Sequence, residues 1–175
     1  YGYFGTLDEL LAQVFRQAAA TELAAVRAAV ARAPAAAATP GEAPAPGGTP
    51  ARLAALVDTF AGRAIRGRRL AWALLAEPVG PLIDAERLAF RRAYADTLAR
   101  IVADGIDSGE LPAQDPQVSG PALVGAIGEA LIGPLTPLGS PAATAQDVVT
   151  SVRLLCLRAV GARLPSPTHE PGDLP

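Results

Sequence analysis

The chain has few of the side chains on which enzyme chemistry usually depends. Its 175 residues include one cysteine, one histidine and no methionine. A single cysteine excludes an internal disulfide, and His169 lies near the C-terminus without a second histidine or a cysteine beside it. The sequence contains no Cys/His pair, histidine cluster or phosphate-binding loop. We therefore expect no enzyme activity, no metal site and no cofactor.

Charged residues are also scarce, at 18% of the chain, whereas half of the residues are hydrophobic. The net charge of −2 supplies no general attraction to nucleic acid. Charged residues, Gly or Pro interrupt every apolar stretch, so we expect no membrane span, and no signal peptide is visible. A cytoplasmic protein with one well-packed domain is expected. The apolar excess indicates surface that is buried against a second chain or around a ligand.

Helical periodicity recurs along the chain, and no stretch shows the period-two alternation of a strand. The sequence therefore predicts an all-α fold of about six helices, with one domain over 7–162. Predicted helices cover Leu7–Arg32, a segment from Thr49-Pro50, Leu70–Leu75, Leu82–Asp104, Pro116–Ile132 and a segment from Ser140-Pro141 to Gly161. The Pro- and Gly-rich stretch 34–48 predicts a flexible loop, and 163–175 predicts a disordered tail.

The N-terminal stretch combines an aromatic cluster with a helix start. Tyr1, Tyr3 and Phe4 place three aromatic rings within four residues. Thr6 and Glu9 then have the spacing of a capping box, in which a hydroxyl and a carboxylate each satisfy a backbone amide. A long amphipathic helix is predicted directly after this cap.

The pattern Tyr-x-Tyr-Phe-x-Thr-x-Asp-Glu-Leu-Leu resembles the end of the helix-turn-helix in TetR-family transcriptional regulators. In that family the recognition helix runs into an aromatic segment, and a Ser/Thr cap, an acidic pair and Leu-Leu follow. The resemblance implies that 1–6 are the remnant of an N-terminal DNA-binding domain. It also implies DNA contact by Tyr1, Tyr3 and Thr6, with both tyrosines at positions that touch phosphate. Leu7 departs from the family, which usually has a phosphate-binding Lys there.

The later helices extend the resemblance in order and length. Leu-Ala-Trp-Ala-Leu-Leu-Ala-Glu-Pro is similar to the sixth family helix, and the helix ending in Gly-x-x-x-Gly-Glu-Leu is similar to the seventh. The last two helices resemble the dimerisation pair. The resemblance implies a TetR-type C-terminal bundle of a ligand-responsive, DNA-binding repressor that a small lipophilic effector releases. The alternative is a helical ligand- or partner-binding protein without DNA-binding activity.

Residues on the central helices are candidates for an effector cavity, because the corresponding helices surround the ligand in the family. The candidates are Phe60, Trp72, Phe90, Tyr94, Leu98 and Glu129. The alternative for the aromatic residues is a packed core, although Tyr94 also offers a hydroxyl that can orient a ligand.

Two charged features in these helices have alternative interpretations. Glu129 stands in an apolar stretch, and a buried carboxylate needs a partner, either a ligand or an arginine across a dimer. The basic segment Arg63–Arg69 is a solvated surface, or it contacts an acidic effector or the DNA-binding domain.

The last two helices are apolar on more than one face, which is unusual at the surface of a monomer. Pairing both with their copies across a two-fold axis buries the excess in a four-helix bundle. The predicted interface residues are Leu123, Ile127, Leu131, Val148, Val152, Leu155 and Cys156. For Cys156 the alternative role is that of a small hydrophobic side chain packed within the domain.

Overall fold

The computed structural model describes residues 6–33, 48–136 and 144–163. Over these ranges the chain forms six α-helices and no strand, which confirms the predicted all-α class. The helices are α1 (Leu7–Ala31), α2 (Thr49–Arg66), α3 (Arg68–Leu75), α4 (Pro81–Asp107), α5 (Pro116–Leu135) and α6 (Ala145–Ala159). Except for Gly48 and Arg163, the predicted loop 34–48 and tail 163–175 lie outside the described residues.

Helix α1 begins at the predicted capping box. The Thr6 hydroxyl accepts a hydrogen bond from the Glu9 amide at 3.2 Å, and the Glu9 carboxylate accepts one from the Thr6 amide at 3.2 Å. The cap therefore satisfies two amides that have no partner within the helix. The helix then buries one stripe against α2 and α4, formed by Ala12, Phe15, Ala19, Leu23 and Val26.

The start of α2 differs from the prediction. Thr49 is the first residue of the helix and not its N-cap, which is Gly48. The Thr49 side chain is buried, so it is not available as a cap, and the Thr49 amide donates to the carboxylate of Glu110 instead. A carboxylate from the loop after α4 thus supplies the acceptor that a local cap would have supplied.

Helices α4 and α5 both continue beyond their predicted ends. α4 reaches Asp107 and is followed by Gly109, whose φ of +74° is the left-handed conformation that favours glycine. α5 includes Pro134 and ends at Leu135, which is 2% exposed. Burial of Leu135 holds the last turn in place despite the proline.

Helix α6 starts later than predicted within the described residues, at Ala145, while Ser140 and Pro141 lie outside them. Thr144 is the N-cap, and its hydroxyl accepts from the Asp147 amide at 3.2 Å. The Asp147 carboxylate accepts from the Thr144 amide at 3.1 Å. A second capping box therefore defines this start.

The core lies where α2, α4, α5 and α6 meet, with α1 along one side of α2 and α4. Its largest fully buried side chains include Leu53, Leu56, Leu98, Ile101 and Leu131. α5 packs along α4 at close range at Gly120, where a Cβ atom would lie 2.5 Å from the Ala95 carbonyl oxygen. Only glycine allows this approach.

By length and composition alone, α5 is able to cross a membrane, whereas the sequence predicted no membrane span. The mean hydropathy of its most apolar 18-residue window is 1.4, and 28% of that window is buried within the chain. The helix contains glycines and prolines, and Glu129 is its one charged residue. Core helices of helical domains pass the same test, and α5 packs on α4 and α6 here.

The contact at Gly120 leads to a stability prediction. Gly120→Ala should lower the free energy of unfolding by about 1–3 kcal/mol, because the new methyl group meets backbone atoms that do not move easily. Gly62→Ala is the control in α2, since its Cβ meets only the Arg66 guanidinium, at 3.4 Å. This control should be neutral or stabilising by up to about 1 kcal/mol. Urea denaturation at one protein concentration measures both, and equal effects would contradict the close approach.

Candidate functional site

A partly enclosed cavity of about 130 Å³ lies among α1, α2, α3, α4 and α5. Its walls are mainly apolar and include Phe15, Leu56, Phe60, Phe90, Leu98 and Ile127. A water molecule needs roughly 10–15 Å³ measured in this way, so the space exceeds what one or two waters occupy. An engineered apolar cavity of about 150 Å³ in another protein binds benzene. The cavity therefore has the size and lining of a site for a small apolar molecule.

Four of the six predicted ligand residues come together at this cavity, namely Phe60, Phe90, Tyr94 and Leu98. Trp72 is outside the lining and is half-buried against the core, where its neighbour Ala71 contributes to the cavity instead. Ligand contact by the four lining residues remains a prediction.

Glu129 does not lie in the apolar surroundings that the sequence suggested. Its neighbours Ile127 and Gly128 face the cavity, whereas Glu129 is on the exposed side of α5. The carboxylate is therefore solvated. The predicted ligand role of Glu129 depended on a buried charge without a partner, and Glu129 is not buried. A pairing with an arginine of a second chain stays a prediction.

Helix α1 contributes residues to the cavity that no motif in the sequence singles out. Phe15, Ala19 and Glu22 line the cavity from this helix. Their spacing of four and three residues puts them on one helical face, which was the available signal. Apolar periodicity predicts that this face is covered, but it does not distinguish a wall of the core from a wall of a cavity.

An ion pair joins α1 to α2 at the cavity. The Arg63 side chain donates two hydrogen bonds to the Glu22 carboxylate, from Nε at 2.6 Å and from Nη2 at 2.8 Å. This two-point geometry is the strong form of an arginine–carboxylate contact. The hydrogen bond to Glu22 raises the pKa of Arg63 above its usual range. The two charges compensate each other, so the pair adds polarity but no net charge to the wall.

Tyr94 is held by packing but not by its hydroxyl. Its ring meets the Phe60 ring edge to face, with centroids 5.1 Å apart and an interplanar angle of 79°. The hydroxyl oxygen is buried and has no hydrogen-bond partner among the described residues. Burial raises the pKa of Tyr94 far above its usual value, and the Glu22 carboxylate adds to the rise, while Arg63 and Arg27 oppose it. The phenol therefore stays protonated and can donate.

Arg87 occupies another part of the lining, where most of its donors have partners and Asp84 pairs with its charge at 3.5 Å. It donates to the carbonyl oxygens of Ala73, Leu74 and Glu77 at 3.3, 3.1 and 2.7 Å, at the end of α3. A cation at the last carbonyls of a helix stabilises that end. Arg91 also lines the cavity but is exposed.

The basic segment Arg63–Arg69 divides into separate roles. Arg63 belongs to the ion pair at the cavity, and Arg68 donates to the Thr136 carbonyl oxygen at 3.1 Å, which ties α3 to the end of α5. Arg66 and Arg69 are exposed. The segment is thus not one continuous basic surface.

The predicted interface residues are divided between core and surface. Five of them, Leu123, Ile127, Leu131, Val152 and Cys156, are at most 4% exposed in the single chain. Side chains buried in this way have almost no surface to offer to a partner, which corrects their assignment to an interface. Val148 is half-buried against the core, and Leu155 is 49% exposed.

Of the predicted DNA-contacting residues, Tyr1 and Tyr3 lie outside the described residues. Thr6 is exposed and caps α1; its DNA contact remains a prediction.

The turns of α1 that follow Thr6 expose an apolar face to solvent. We call this face the α1 patch; it is formed by Leu7, Leu10, Leu11 and Val14. In residues 6–33, 48–136 and 144–163, no three His, Cys, Asp or Glu side chains group as metal ligands.

No family model and no curated protein matches the sequence. The structure is similar to a TetR/AcrR-family transcriptional regulator from Thermobifida fusca YX-ER1, with a TM-score of 0.63, 22% identity, and coverage of 93% of this chain and 78% of that one. A TetR-family regulatory protein from Rhodococcus RHA1 gives 0.63, 20%, 91% and 77% for the same quantities. A Rhodococcus sp. RHA1 protein of unknown function gives 0.59, 20%, 90% and 75%.

These similarities show that the chain has the helical fold of TetR-type regulators. They confirm at the level of the fold the resemblance that the N-terminal motif suggested. At 20–22% identity they carry no further statement about ligand, operator or partner.

Cys156 provides a test of how α6 packs in the core. Its side chain is fully buried, and burial raises the pKa of Cys156 to about 11. Since the thiolate is the reactive form, the native protein should resist a disulfide reagent at pH 8 and react with one equivalent after denaturation. Gln146→Cys in a Cys156→Ala background is the control, because Gln146 is exposed on the same helix. Fast reaction of native Cys156 would show that α6 is not packed as described.

Proposed function

We propose that this chain is the effector-binding and dimerisation part of a ligand-responsive transcriptional regulator of the TetR family. In this proposal it acts in the cytoplasm as a repressor, and a small lipophilic effector releases it from DNA. The observation that carries the proposal is the double role of α1, which lines the cavity at Phe15 and Glu22 and exposes an apolar patch at its N-terminal end. One rigid helix thus joins a candidate ligand site to a candidate docking surface.

The α1 patch supports the presence of a further domain at this end. Leu7 is 68% and Val14 is 57% exposed, and together with Leu10 and Leu11 they form a contiguous apolar surface over two turns. Contiguous exposed patches of this kind mark interaction surfaces. We propose that a helix-turn-helix domain preceding Tyr1 packs here, as the resemblance of the N-terminal motif implies.

The mechanism is a shift between two positions of α1. A ligand in the cavity contacts Phe15 and the Glu22–Arg63 pair, so it binds most tightly to the position of α1 that fits it best. Differential affinity for two states is what allows a ligand to change their populations. α1 also pairs with α4 through Arg16 and Glu86. A change at the cavity therefore reaches the N-terminal end of α1 as a movement of the whole helix.

We also propose that the protein is a homodimer through the outer faces of α5 and α6. α5 is apolar but only partly buried, and Val118 on its outer side is 65% exposed. On the same side a Cβ at Gly125 would meet no atom within 4 Å, so another helix has room to approach. Leu155 provides an exposed apolar residue on α6. Pairing with a second copy buries these surfaces in a four-helix bundle.

The first test compares DNA binding with and without the upstream residues. In this proposal the recognition helix lies before Tyr1, so the 175-residue chain, with its net charge of −2, should show no sequence-specific binding to the intergenic DNA upstream of its gene. The same chain preceded by the residues encoded before Tyr1 should bind specifically. Fluorescence anisotropy at physiological salt measures both proteins, and compounds that raise the melting temperature of the 175-residue chain should release the longer one.

Two results of this experiment would contradict the proposal. Specific binding by the 175-residue chain would mean that recognition lies elsewhere than in an N-terminal helix-turn-helix. Failure of the longer protein on every candidate operator would favour the alternative of a helical ligand- or partner-binding protein without DNA-binding activity.

The second test concerns the dimer and uses two leucines of equal exposure. Leu155→Glu should convert a dimer to a monomer at micromolar concentration, because it places a charge in an apolar contact. Leu88→Glu is the matched control, since Leu88 is 48% exposed on α4, a helix that is not part of the proposed interface, and Leu155 is 49% exposed. Light scattering measures the mass of each variant. A monomeric parent protein, or equal behaviour of the two variants, would contradict this interface.

A further inference from the structure

Arg91 extends the row of α4 residues that line the cavity toward solvent. Leu98, Tyr94 and Arg91 follow one another at spacings of four and three residues, so they lie on one face of the helix. Exposure rises along this row, since Leu98 is fully buried, Tyr94 is half-buried and Arg91 is exposed. Arg91 therefore stands where the wall of the cavity meets solvent, and it is accessible to a molecule that enters.

The other charges of the lining are paired within the chain. Arg63 donates two hydrogen bonds to the Glu22 carboxylate. Arg87 donates to three carbonyl oxygens and lies 3.5 Å from the Asp84 carboxylate. The Arg91 side chain forms no hydrogen bond or ion pair with any residue that the structure describes, and no acidic residue stands three or four positions from it on α4. The cavity thus offers one uncompensated positive charge, although the whole chain has a net charge of −2.

We infer that the cavity selects an amphipathic anion, a compact apolar molecule that carries one carboxylate, and that this carboxylate pairs with Arg91. The inference rests on the proposed role of the cavity as the effector site and specifies the ligand class. The apolar body replaces water along Phe15, Phe60 and Phe90, whereas the carboxylate stays at the exposed end of the wall. Because the carboxylate keeps its contact with solvent, it avoids most of the cost of burying a charge. The planar guanidinium matches a carboxylate at two points, which fixes the orientation of the molecule.

Three probes with the same phenylethyl body differ in the charge of their end group. At neutral pH 3-phenylpropionate is an anion, 3-phenylpropionamide is a neutral molecule of nearly equal shape, and 3-phenylpropylamine is a cation. NMR titration of the nitrogen-15-labelled 175-residue chain should give affinities in the order anion, amide, cation. The preference for the anion over the amide should be about fivefold at low salt, as expected for a charge pair in contact with water. This preference should fall in about 0.5 M salt, which screens such a pair.

Arg91→Gln removes the charge and keeps a polar side chain, so it tests the role of the guanidinium directly. In this variant the preference for 3-phenylpropionate over the amide should fall to about onefold at low salt, with the affinity for the amide unchanged. Arg92→Gln is the matched control, because Arg92 is the next residue of α4, is also exposed and is not part of the lining. It removes the same charge from the chain and should retain the preference.

A second pair of variants shows that the probes bind in the cavity. Gly128 lines the cavity, and a Cβ there would meet no atom within 4 Å. Gly128→Leu should fill the space and abolish binding of the anion and the amide, whereas Gly128→Ala should preserve their binding.

The outcomes distinguish this inference from the proposed function. If the amide binds as tightly as the anion, or if Arg91→Gln keeps the preference, the inference is wrong while the effector cavity stands. An equal loss of preference in Arg92→Gln would also overturn it, since the attraction would then come from the general charge of α4. Tightest binding of 3-phenylpropylamine would overturn it as well and would assign the selectivity to Glu22. If none of the probes binds, or if Gly128→Leu binds them unchanged, the effector role of this cavity fails, and the inference fails with it.

Discussion

The packing of α5 along α4 is the contact on which the rest of the bundle depends. Gly120 lets the two backbones approach, and Leu98, Leu123 and Ile127 then fill the space along the pair. α2 packs against both helices, and α1, α3 and α6 lie around this centre. Since interiors are close-packed, a side chain at position 120 would move α5 away and reduce all of these contacts together.

The cavity exists because α1, α2 and α3 do not close completely over the α4–α5 pair. Large rings stand at its walls, and the edge-to-face contact of Phe60 with Tyr94 keeps two of them in fixed positions. The Glu22–Arg63 pair spans from α1 to α2 beside them. The geometry of this ion pair depends on the position of α1 relative to α2, so a movement of α1 would change it.

The fold is preserved at a level of identity where the sequence itself matches no family model and no curated protein. TM-scores of about 0.6 accompany identities of 20–22%. Helical cores tolerate extensive exchange among apolar residues if volume and pattern are kept. The feature that persists is therefore the fold, and not the identity of the individual apolar residues.

By itself, the sequence determined that this protein is helical, and it determined where α1 and α5 begin. Apolar periodicity and local caps are short-range signals, so the capping box of Thr6 and Glu9 and the order of six helices were predictable. Only the tertiary structure decided which apolar face each helix buries. Leu123 and Leu155 look alike in a sequence, yet one is core and the other is surface, because the neighbours that cover them come from distant helices. The same holds for Glu22 and Tyr94, which meet at the cavity only after α1 has packed across α2 and α4.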